Sequence, residues 1–384
     1  MKNYFKNGQI VLTDKRYTPI RFRTGFHEMH FDIFQDGTSP AYRDVDGKLW
    51  VIAGHERVGH IAMMCGTCLD DLQEVYRCKL NFALGNSSVA FNGVPYPEGV
   101  RSRGSVWPLG FYICPKTHRF FAFIHNETGW AMQGSGYDAL GPCKKPRFDS
   151  DFRHVGLMHS DDEGKNWTFD RWILSCEYPC FTEKYNPNGE DDLALGQKGP
   201  LIRLGCGDIS SYIDPNDDYI YLFYNIITVN IETGKWVSCD QYVARAEKRY
   251  DGIMGEFKKY YNCSFCEPGN FGKETPIIEE TWHGRVVYHK TLSKYIISYT
   301  RFNTEKAGQG GVFGGIIEVR TSDDMLNWSE PVQVEYEGKE LGAHYVGIYP
   351  DDKINPTCVI DGDVFSILAT DNGTSMRYTT TIKK

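Results

Sequence analysis

A pair of strands joined by a tight turn recurs five times along the 384 residues of this chain. In each copy a polar or glycine-containing turn precedes an apolar run that is rich in aromatic and β-branched residues. The runs are GKLWVIAG (47–54), HRFFAFIHN (118–126), DYIYLFYN (218–225), SKYIISYT (293–300) and GDVFSILAT (362–370). This composition is typical of strands that are buried on both faces. The runs begin roughly 70 to 100 residues apart, the spacing of sheet blades with long loops.

The repeat predicts an all-β fold, and specifically a five-bladed β-propeller that uses residues 1–384 as a single domain. The last repeat lacks a clear fourth strand. We therefore expect the strand-like run 8–14 to pair with the C-terminal blade, at 375–384, so that no sheet edge stays open. The one helical signal is a turn expected at LDDLQEVY (69–76). The predicted blades span about 31–78, 104–174, 205–262, 283–335 and 344–384.

The composition of the chain argues against several classes of partner and cofactor. The net charge is −8 without a basic stripe, which argues against a nucleic-acid partner or an anionic membrane surface. No apolar stretch approaches 18 residues, and the N-terminus has no apolar core of a signal peptide. We therefore expect a cytoplasmic protein, with secretion left open if the chain is trimmed. The twelve cysteines are interpreted as reduced, scattered thiols, and neither a metal site nor a cofactor is predicted from them.

Two segments have the pattern of a peripheral turn. SDDEGKNW (160–167) matches S-x-D-x-G-x-x-W, and TSDDMLNW (321–328) matches it without the glycine. The pattern resembles the Asp-box of sialidase-type propellers, in which the aspartate accepts backbone N–H groups and the tryptophan packs beneath. The resemblance implies an architectural role for Asp162 and Asp324.

Acidic residues precede two of the predicted first strands, Asp36 in FQDGTSP and Asp208 in GCGDISS. Both openings resemble the five-bladed glycoside hydrolases of family 43 and their relatives, although neither keeps the Asp-Pro dipeptide of that group. The resemblance implies a carbohydrate substrate and three carboxylates, with Asp36 as general base and Asp208 as a second axial carboxylate. Glu280 is the candidate general acid. Acetal cleavage needs one protonated and one ionised carboxyl group, and inversion of configuration is expected.

Aromatic, basic and acidic residues near the predicted blade openings are candidates for binding the sugar. Aromatic faces stack on pyranose rings, while arginine and histidine donate to hydroxyl or carboxylate groups. An aromatic content of 14% suits such a cleft, although packing between blades explains many of these rings. The candidate substrate-binding residues are His55, Arg103, Trp107, Glu127, Trp282, His283, Arg285 and Tyr349.

Three other functions stay open at the level of sequence. A sialidase-like hydrolase would need three arginines around a substrate carboxylate, and a glycoside phosphorylase would use arginine and histidine to hold phosphate. A carbohydrate-binding propeller without catalysis would follow if Asp36 and Asp208 did not converge. The sugar, the oligomeric state and a structural calcium ion on the axis are also left open.

Overall fold

The structure is a computed structural model that describes part of the chain, namely residues 9–17, 37, 40–55, 60–78, 105–127, 153–177, 197–230, 232–233, 235–302, 315–371 and 374–381. All regular secondary structure in these residues is β, so the all-β prediction is confirmed. In this part of the chain there is no helix of the length and apolar character needed to cross a bilayer.

The strands follow one another in five groups. Antiparallel pairing joins the successive strands of the first two groups. Those of the first group are β2 (Ala41–Arg43), β3 (Leu49–His55), β4 (His60–Gly66) and β5 (Gln73–Cys78). Those of the second are β6 (Ser105–Ile113), β7 (Phe120–Glu127), β8 (Arg153–Ser160) and β9 (Thr168–Leu174).

The third and fourth groups add a short fifth strand to the same antiparallel order. The third contains β10 (Leu201–Tyr212), β11 (Tyr219–Asn230), β12 (Lys235–Glu247), β13 (Lys258–Tyr261) and β14 (Ser264–Pro268). The fourth contains β15 (Thr281–His289), β16 (Lys294–Arg301), β17 (Ile317–Ser322), β18 (Val332–Tyr336) and β19 (Lys339–Glu340). The fifth contains β20 (His344–Pro350), β21 (Val359–Ile360), β22 (Val364–Asp371) and β23 (Thr374–Thr381).

The N-terminal strand β1 (Gln9–Tyr17) joins the fourth and fifth groups. It runs antiparallel to β23, with Leu12 opposite Thr380, and parallel to β18, with Gln9 opposite Gln333. Parallel bridges also connect β8 to β10 and β15 to β21. The described strands therefore form three hydrogen-bonded sheets of ten, nine and four strands.

Aromatic contacts and hydrogen bonds link neighbouring groups. Trp50 of β3 packs edge-on against Phe120 of β7, with ring centroids 5.1 Å apart. Tyr212 of β10 packs against Tyr295 of β16 at 5.7 Å. Arg43 of β2 donates to two backbone carbonyl groups of the segment between β20 and β21, at Asp352 (3.0 Å) and Asn355 (2.8 Å). The first and last groups are thus joined directly.

The turn expected within residues 69–76 was only partly correct. Residues 69–71 form a non-helical turn, but β5 begins at Gln73 and pairs antiparallel with β4. Tertiary pairing outweighs the helical tendency of such a short segment, because isolated helices of this length are not stable in water.

The two turns that match the Asp-box pattern have the same hydrogen bonds. Asp162 Oδ1 accepts the Asn166 N–H at 2.9 Å, and Asp324 Oδ1 accepts the Asn327 N–H at 2.8 Å. In each turn a half-buried tryptophan donates from Nε1 to a backbone carbonyl group at 3.1 Å. The carboxylates serve the turns themselves, and the assignment to the sialidase motif stays a prediction.

Candidate functional site

Three charged side chains that are almost fully buried meet where β7, β8 and β10 come together. Arg153 donates from Nη1 to Asp208 Oδ2 at 2.7 Å, and its Nη2 lies 2.7 Å from Glu127 Oε1. Glu127 and Arg153 are opposite each other in the antiparallel pair β7–β8. A buried charge is costly unless it is paired, so this guanidinium stabilises both carboxylates. We refer to these three residues as the charged cluster.

His125 completes the surroundings of the two carboxylates. Its Nδ1 accepts the backbone N–H of Asp208 at 2.9 Å, which assigns the proton of the neutral ring to Nε2. That Nε2 lies 3.2 Å from Glu127 Oε1 and 3.9 Å from Asp208 Oδ1. Gly207 makes room for this arrangement, because a Cβ there would lie 2.6 Å from His125 Cε1.

Three residues of this region are of the types that bind metal ions. His125, Glu127 and Asp208 offer ligand atoms within 4.8 Å of one another. However, the Nε2 that would bind the ion carries the ring proton, and Arg153 already supplies a cation to both carboxylates. Calcium prefers six to eight oxygen ligands, which this group does not offer. The donor set fits a guanidinium better than a metal ion, and a calcium ion elsewhere stays a prediction.

A β-bulge recurs in the first strand of three groups and directs side chains towards one region. The pairing register shifts at Asp208 in β10, at His283 in β15 and at Tyr345 in β20. These residues have φ angles of 49°, 55° and 53°, in the left-handed region that non-glycine residues seldom adopt. Bulges of this kind re-aim side chains and occur next to active sites.

The bulges bring aromatic rings and imidazoles against the charged cluster. Trp282 donates from Nε1 to Asp208 Oδ2 at 3.1 Å and stacks on His283, with ring centroids 5.0 Å apart. His283 in turn contacts the rings of His344 (4.9 Å) and Tyr345 (4.6 Å). The result is a buried carboxylate with an aromatic wall on one side.

The protonation states follow from burial and from the neighbouring charges. Burial opposes ionisation of Asp208, but the Arg153 guanidinium outweighs it and holds the pKa of this carboxyl well below its usual range. Burial lowers the pKa of His283 to about 4 and that of His154 to about 3. At neutral pH the site therefore contains an ionised Asp208 beside neutral imidazoles.

A second carboxyl group lies near the start of β15 and titrates in the opposite direction. Burial raises the pKa of Asp240, and the negative charges of Glu279 and Glu280 act in the same direction. Asp240 Oδ1 accepts the backbone N–H of Glu280 at 3.2 Å. Asn225 connects the backbone of Asp240 to the aromatic wall, because its side chain donates to the Asp240 backbone carbonyl group and accepts the N–H of His283.

Some of the residues predicted from sequence lie at the charged cluster, and others do not. Asp208 and Glu127 belong to the charged cluster, Trp282 donates to it, and His283 stacks on Trp282. Trp107 packs against His125, with ring centroids 5.3 Å apart.

Glu280 is exposed at the start of β15, and no side-chain contact to the charged cluster occurs among the described residues. Arg285 and Tyr349 are buried and stack on each other, with Arg285 Cζ 4.1 Å from the ring centroid. Asp36 and Arg103 lie outside the described residues, and His55 is described only as a backbone position of β3.

Sequence reasoning missed Arg153, His125 and Asp240. Arg153 is the last residue of the segment 127–153, which is rich in glycine, proline and charged residues and has no strand pattern. A signal was present, since the polar ends IHNE and RHV of two predicted strands become neighbours once those strands pair.

A separate recess of about 220 Å³ lies among the first hairpin turns. It is lined by Tyr42, Tyr112, Lys248 and Ile354 among others, and by no residue of the charged cluster. The Lys248 ammonium group already donates to two backbone carbonyl groups of the turn after β10. Two of the three N–H donors of Lys248 are therefore used within the fold.

A scan of protein-family models and a search of curated proteins both return no match. Among solved structures, a family 117 glycoside hydrolase of Zobellia galactanivorans has a TM-score of 0.47 at 12% identity, covering 97% of this chain and 91% of the other. An α-L-arabinofuranosidase of Lactobacillus brevis has a TM-score of 0.46 at 11% identity, covering 91% of each chain. An N-acetylgalactosamine deacetylase of F. plautii has a TM-score of 0.45 at 12% identity, covering 96% and 94%. All three TM-scores lie below 0.5, so the functional proposal rests on the side chains of the site.

Proposed function

We propose that this protein is a glycoside hydrolase that acts on an oligosaccharide or a polysaccharide-derived substrate. The observation that carries the proposal is the buried Asp208 carboxylate, held ionised by Arg153 and bordered by the rings of Trp282 and His283. A sugar needs an apolar ring to stack on, and its hydrolysis needs a fixed negative charge near the anomeric carbon, where positive charge develops.

Asp208 serves as the charge that stays ionised. Both Arg153 and the Trp282 N–H engage its Oδ2, so its proton affinity is low and it does not donate a proton. In this site Asp208 stabilises positive charge on the sugar ring and raises the proton affinity of a neighbouring acid.

The proton donor belongs to the pair Asp240 and Glu280. Glu280 is the candidate from sequence, and Asp240 is the described carboxyl whose pKa burial raises. Environments that push the pKa values of two carboxyl groups apart are typical of acid–base pairs. The general base remains the proposed Asp36, which would activate a water molecule and give inversion of configuration.

The proposal includes the arrangement of the whole chain. We propose that the five strand groups are blades of one ring over residues 1–384, closed by β1. Support comes from the contacts of each group with the next, from the bond of Arg43 to Asp352 and from the pairing of β1 with β23. In such a ring the blades surround a central channel, and we propose that the carbohydrate site lies there, at the first strands.

The second candidate is a carbohydrate-binding protein without catalysis. It is favoured by the engagement of both Asp208 and Glu127 with Arg153, because that arrangement alone could simply stabilise the fold. A sialidase-like hydrolase and a phosphorylase remain alternatives that the same assay distinguishes.

The test is a screen of aryl glycosides and natural oligosaccharides with and without phosphate, followed by variants on any substrate that is cleaved. Asp240→Asn and Glu280→Gln are compared on an aryl glycoside with a good leaving group and on one with a poor leaving group. Loss of the acid slows the poor leaving group far more, since only that one needs protonation. Asp36→Asn should slow both by about 10²–10⁴-fold. Sugar binding without turnover would favour the second candidate, and a strict need for phosphate would favour the phosphorylase.

A further inference from the structure

Arg285 is a buried cation without an anionic partner in the described part of the chain. Its exposed fraction is 2%. Its Nε donates to the Ile348 carbonyl group at 3.3 Å, and its guanidinium stacks on the Tyr349 ring. Its two terminal nitrogens donate to no described group. A buried guanidinium that lacks a counter-charge is strongly unfavourable.

A second polar group beside Arg285 also lacks a partner. Ser298 of β16 is opposite Arg285 in the antiparallel pair β15–β16, and directly opposite side chains point to the same face of the sheet. The Ser298 hydroxyl group is fully buried, and it has no hydrogen-bond partner among the described residues. Buried hydroxyl groups are normally bonded, so its isolation indicates a missing acceptor.

The backbone of β20 leaves room for the stack of Arg285 on Tyr349. A Cβ at Gly347 would lie 3.0 Å from Arg285 Cδ and 2.8 Å from Tyr349 Cε2. Only glycine allows the guanidinium to lie over the ring at this position. The site is therefore built into β15, β16 and β20 and does not depend on exposed loops.

We propose that Arg285 and Ser298 form an anion-binding site that takes one monovalent anion, with the guanidinium and the hydroxyl group as donors. Two sources have this chemistry, a chloride ion and the carboxylate of an acidic sugar. The chloride source is independent of the proposed glycosidase activity, whereas the sugar source rests on it. A cation such as calcium is disfavoured at this position, because Arg285 would repel it.

The experiment measures thermal unfolding of the full chain as chloride increases from zero to about 0.2 M. Wild type and Arg285→Gln are compared with Arg245→Gln, a control arginine that stacks on Tyr219 at 3.9 Å in a half-buried position. General salt effects are common to the three proteins. For a dissociation constant of about 10 mM, wild type and the control should gain a saturable rise in Tm of about 2 °C that Arg285→Gln lacks. Identical responses of the three proteins would overturn the proposal.

Galacturonate and galactose distinguish the two sources. Stabilisation by galacturonate that competes with chloride, without an effect of galactose, assigns the site to a sugar carboxylate. Stabilisation by chloride alone assigns it to an inorganic ion. If Arg285→Gln does not fold, chloride-35 line broadening on the wild type, with bromide as competitor, gives the answer. The absence of saturable broadening and of a galacturonate effect would then reject the site.

Discussion

The charged cluster can be compared with a second buried group of opposite charges, formed by Lys259 and Glu274. In the charged cluster, Arg153 pairs with two carboxylates beside a strained bulge and an aromatic wall. In the second group, Lys259 is fully buried and donates to the carbonyl groups of Ser175 and Gly272 and to Glu274.

Each group contains a buried atom without a hydrogen bond among the described residues, Glu274 Oε1 in one and His283 Nε2 beside the other, so the difference lies in the strained backbone and the aromatic wall at Asp208. All three donors of the Lys259 ammonium group have acceptors, and the contact with Ser175 ties the third strand group to the second. Beside the charged cluster, His283 Nε2 is buried and has no hydrogen-bond partner in the described part of the chain. A buried ion pair alone therefore does not indicate function. The positive φ of Asp208 is the property that only the charged cluster shows of the two, and strain of this kind is typical of functional sites.

The largest expected effect is on catalysis. Asp208→Asn keeps the shape of the side chain but removes the charge that stabilises the transition state, so kcat on any cleaved glycoside should fall by about 10²–10³-fold. Glu274→Gln, in the second group, is the matched control and should leave kcat within about twofold while lowering stability. Steady-state kinetics on purified, folded variants checks this. Equal losses in both variants would remove the distinction between the two groups.

The next effect is on stability. Lys259→Met leaves Glu274 buried without its partner, so the free energy of unfolding should fall by about 3–5 kcal/mol in urea denaturation. The double variant Lys259→Met/Glu274→Leu should recover most of this loss, because it buries no unpaired charge. A double variant as unstable as the single one would show that the pair does more than stabilise the fold.

The two groups should also respond to opposite ends of the pH scale. The pKa of His283 is lowered to about 4 in the folded protein, so the unfolded chain binds more protons between about pH 4 and 6.5. Stability should therefore fall with acidification in this window, by about 1.4 kcal/mol per pH unit for this histidine. His283→Phe should flatten that slope.

Lys259 should make the stability depend on pH in the alkaline range. Burial opposes its charge, but Cys206 and Glu274 raise its pKa above the usual value. The contribution of Lys259 to stability is fully present at pH values below its pKa in the unfolded chain. It is lost as the pH rises through its pKa in the folded protein. Chemical denaturation across pH 4 to 11 measures both limbs, and a slope in the wild type that His283→Phe leaves unchanged would contradict the assignment.

The smallest expected effect concerns a glycine of the site. Gly207→Ala would place a Cβ against His125 and Arg153, and overpacking of this kind costs about 1–3 kcal/mol. Gly338→Ala is the control, since it has a φ of 73° but nothing within 4 Å of its Cβ. Gly207→Ala should lower kcat as well as stability, whereas Gly338→Ala should lower stability alone. If both variants keep full kcat, His125 and Arg153 tolerate displacement.

Part of this arrangement could be predicted from the sequence. Apolar runs between turn residues located the second strands of all five groups, because burial on both faces imposes that composition. Asp208, Trp282 and His283 were selected because they were predicted to open first strands, and they do lie together. The prediction that Asp208 precedes its strand was wrong, because β10 begins at Leu201 and contains Asp208 at its bulge.

The other residues of the site come together through the pairing of strands, which a local sequence pattern does not specify. Arg153 reaches the cluster through its register with Glu127, across 25 intervening residues of sequence. The bulges at Asp208, His283 and Tyr345 come from one extra residue in each strand, which changes no hydrophobic period. Asp240 was missed because its raised pKa arises from burial, and a sequence does not state burial for a single polar residue.

The three bulges have a consequence for engineering and for divergence. A carboxylate, an imidazole and a phenol are presented here from three backbone positions with nearly the same φ. The same local backbone conformation thus holds three different functional groups in this fold. The side chain at such a position can change while the strand around it keeps its course.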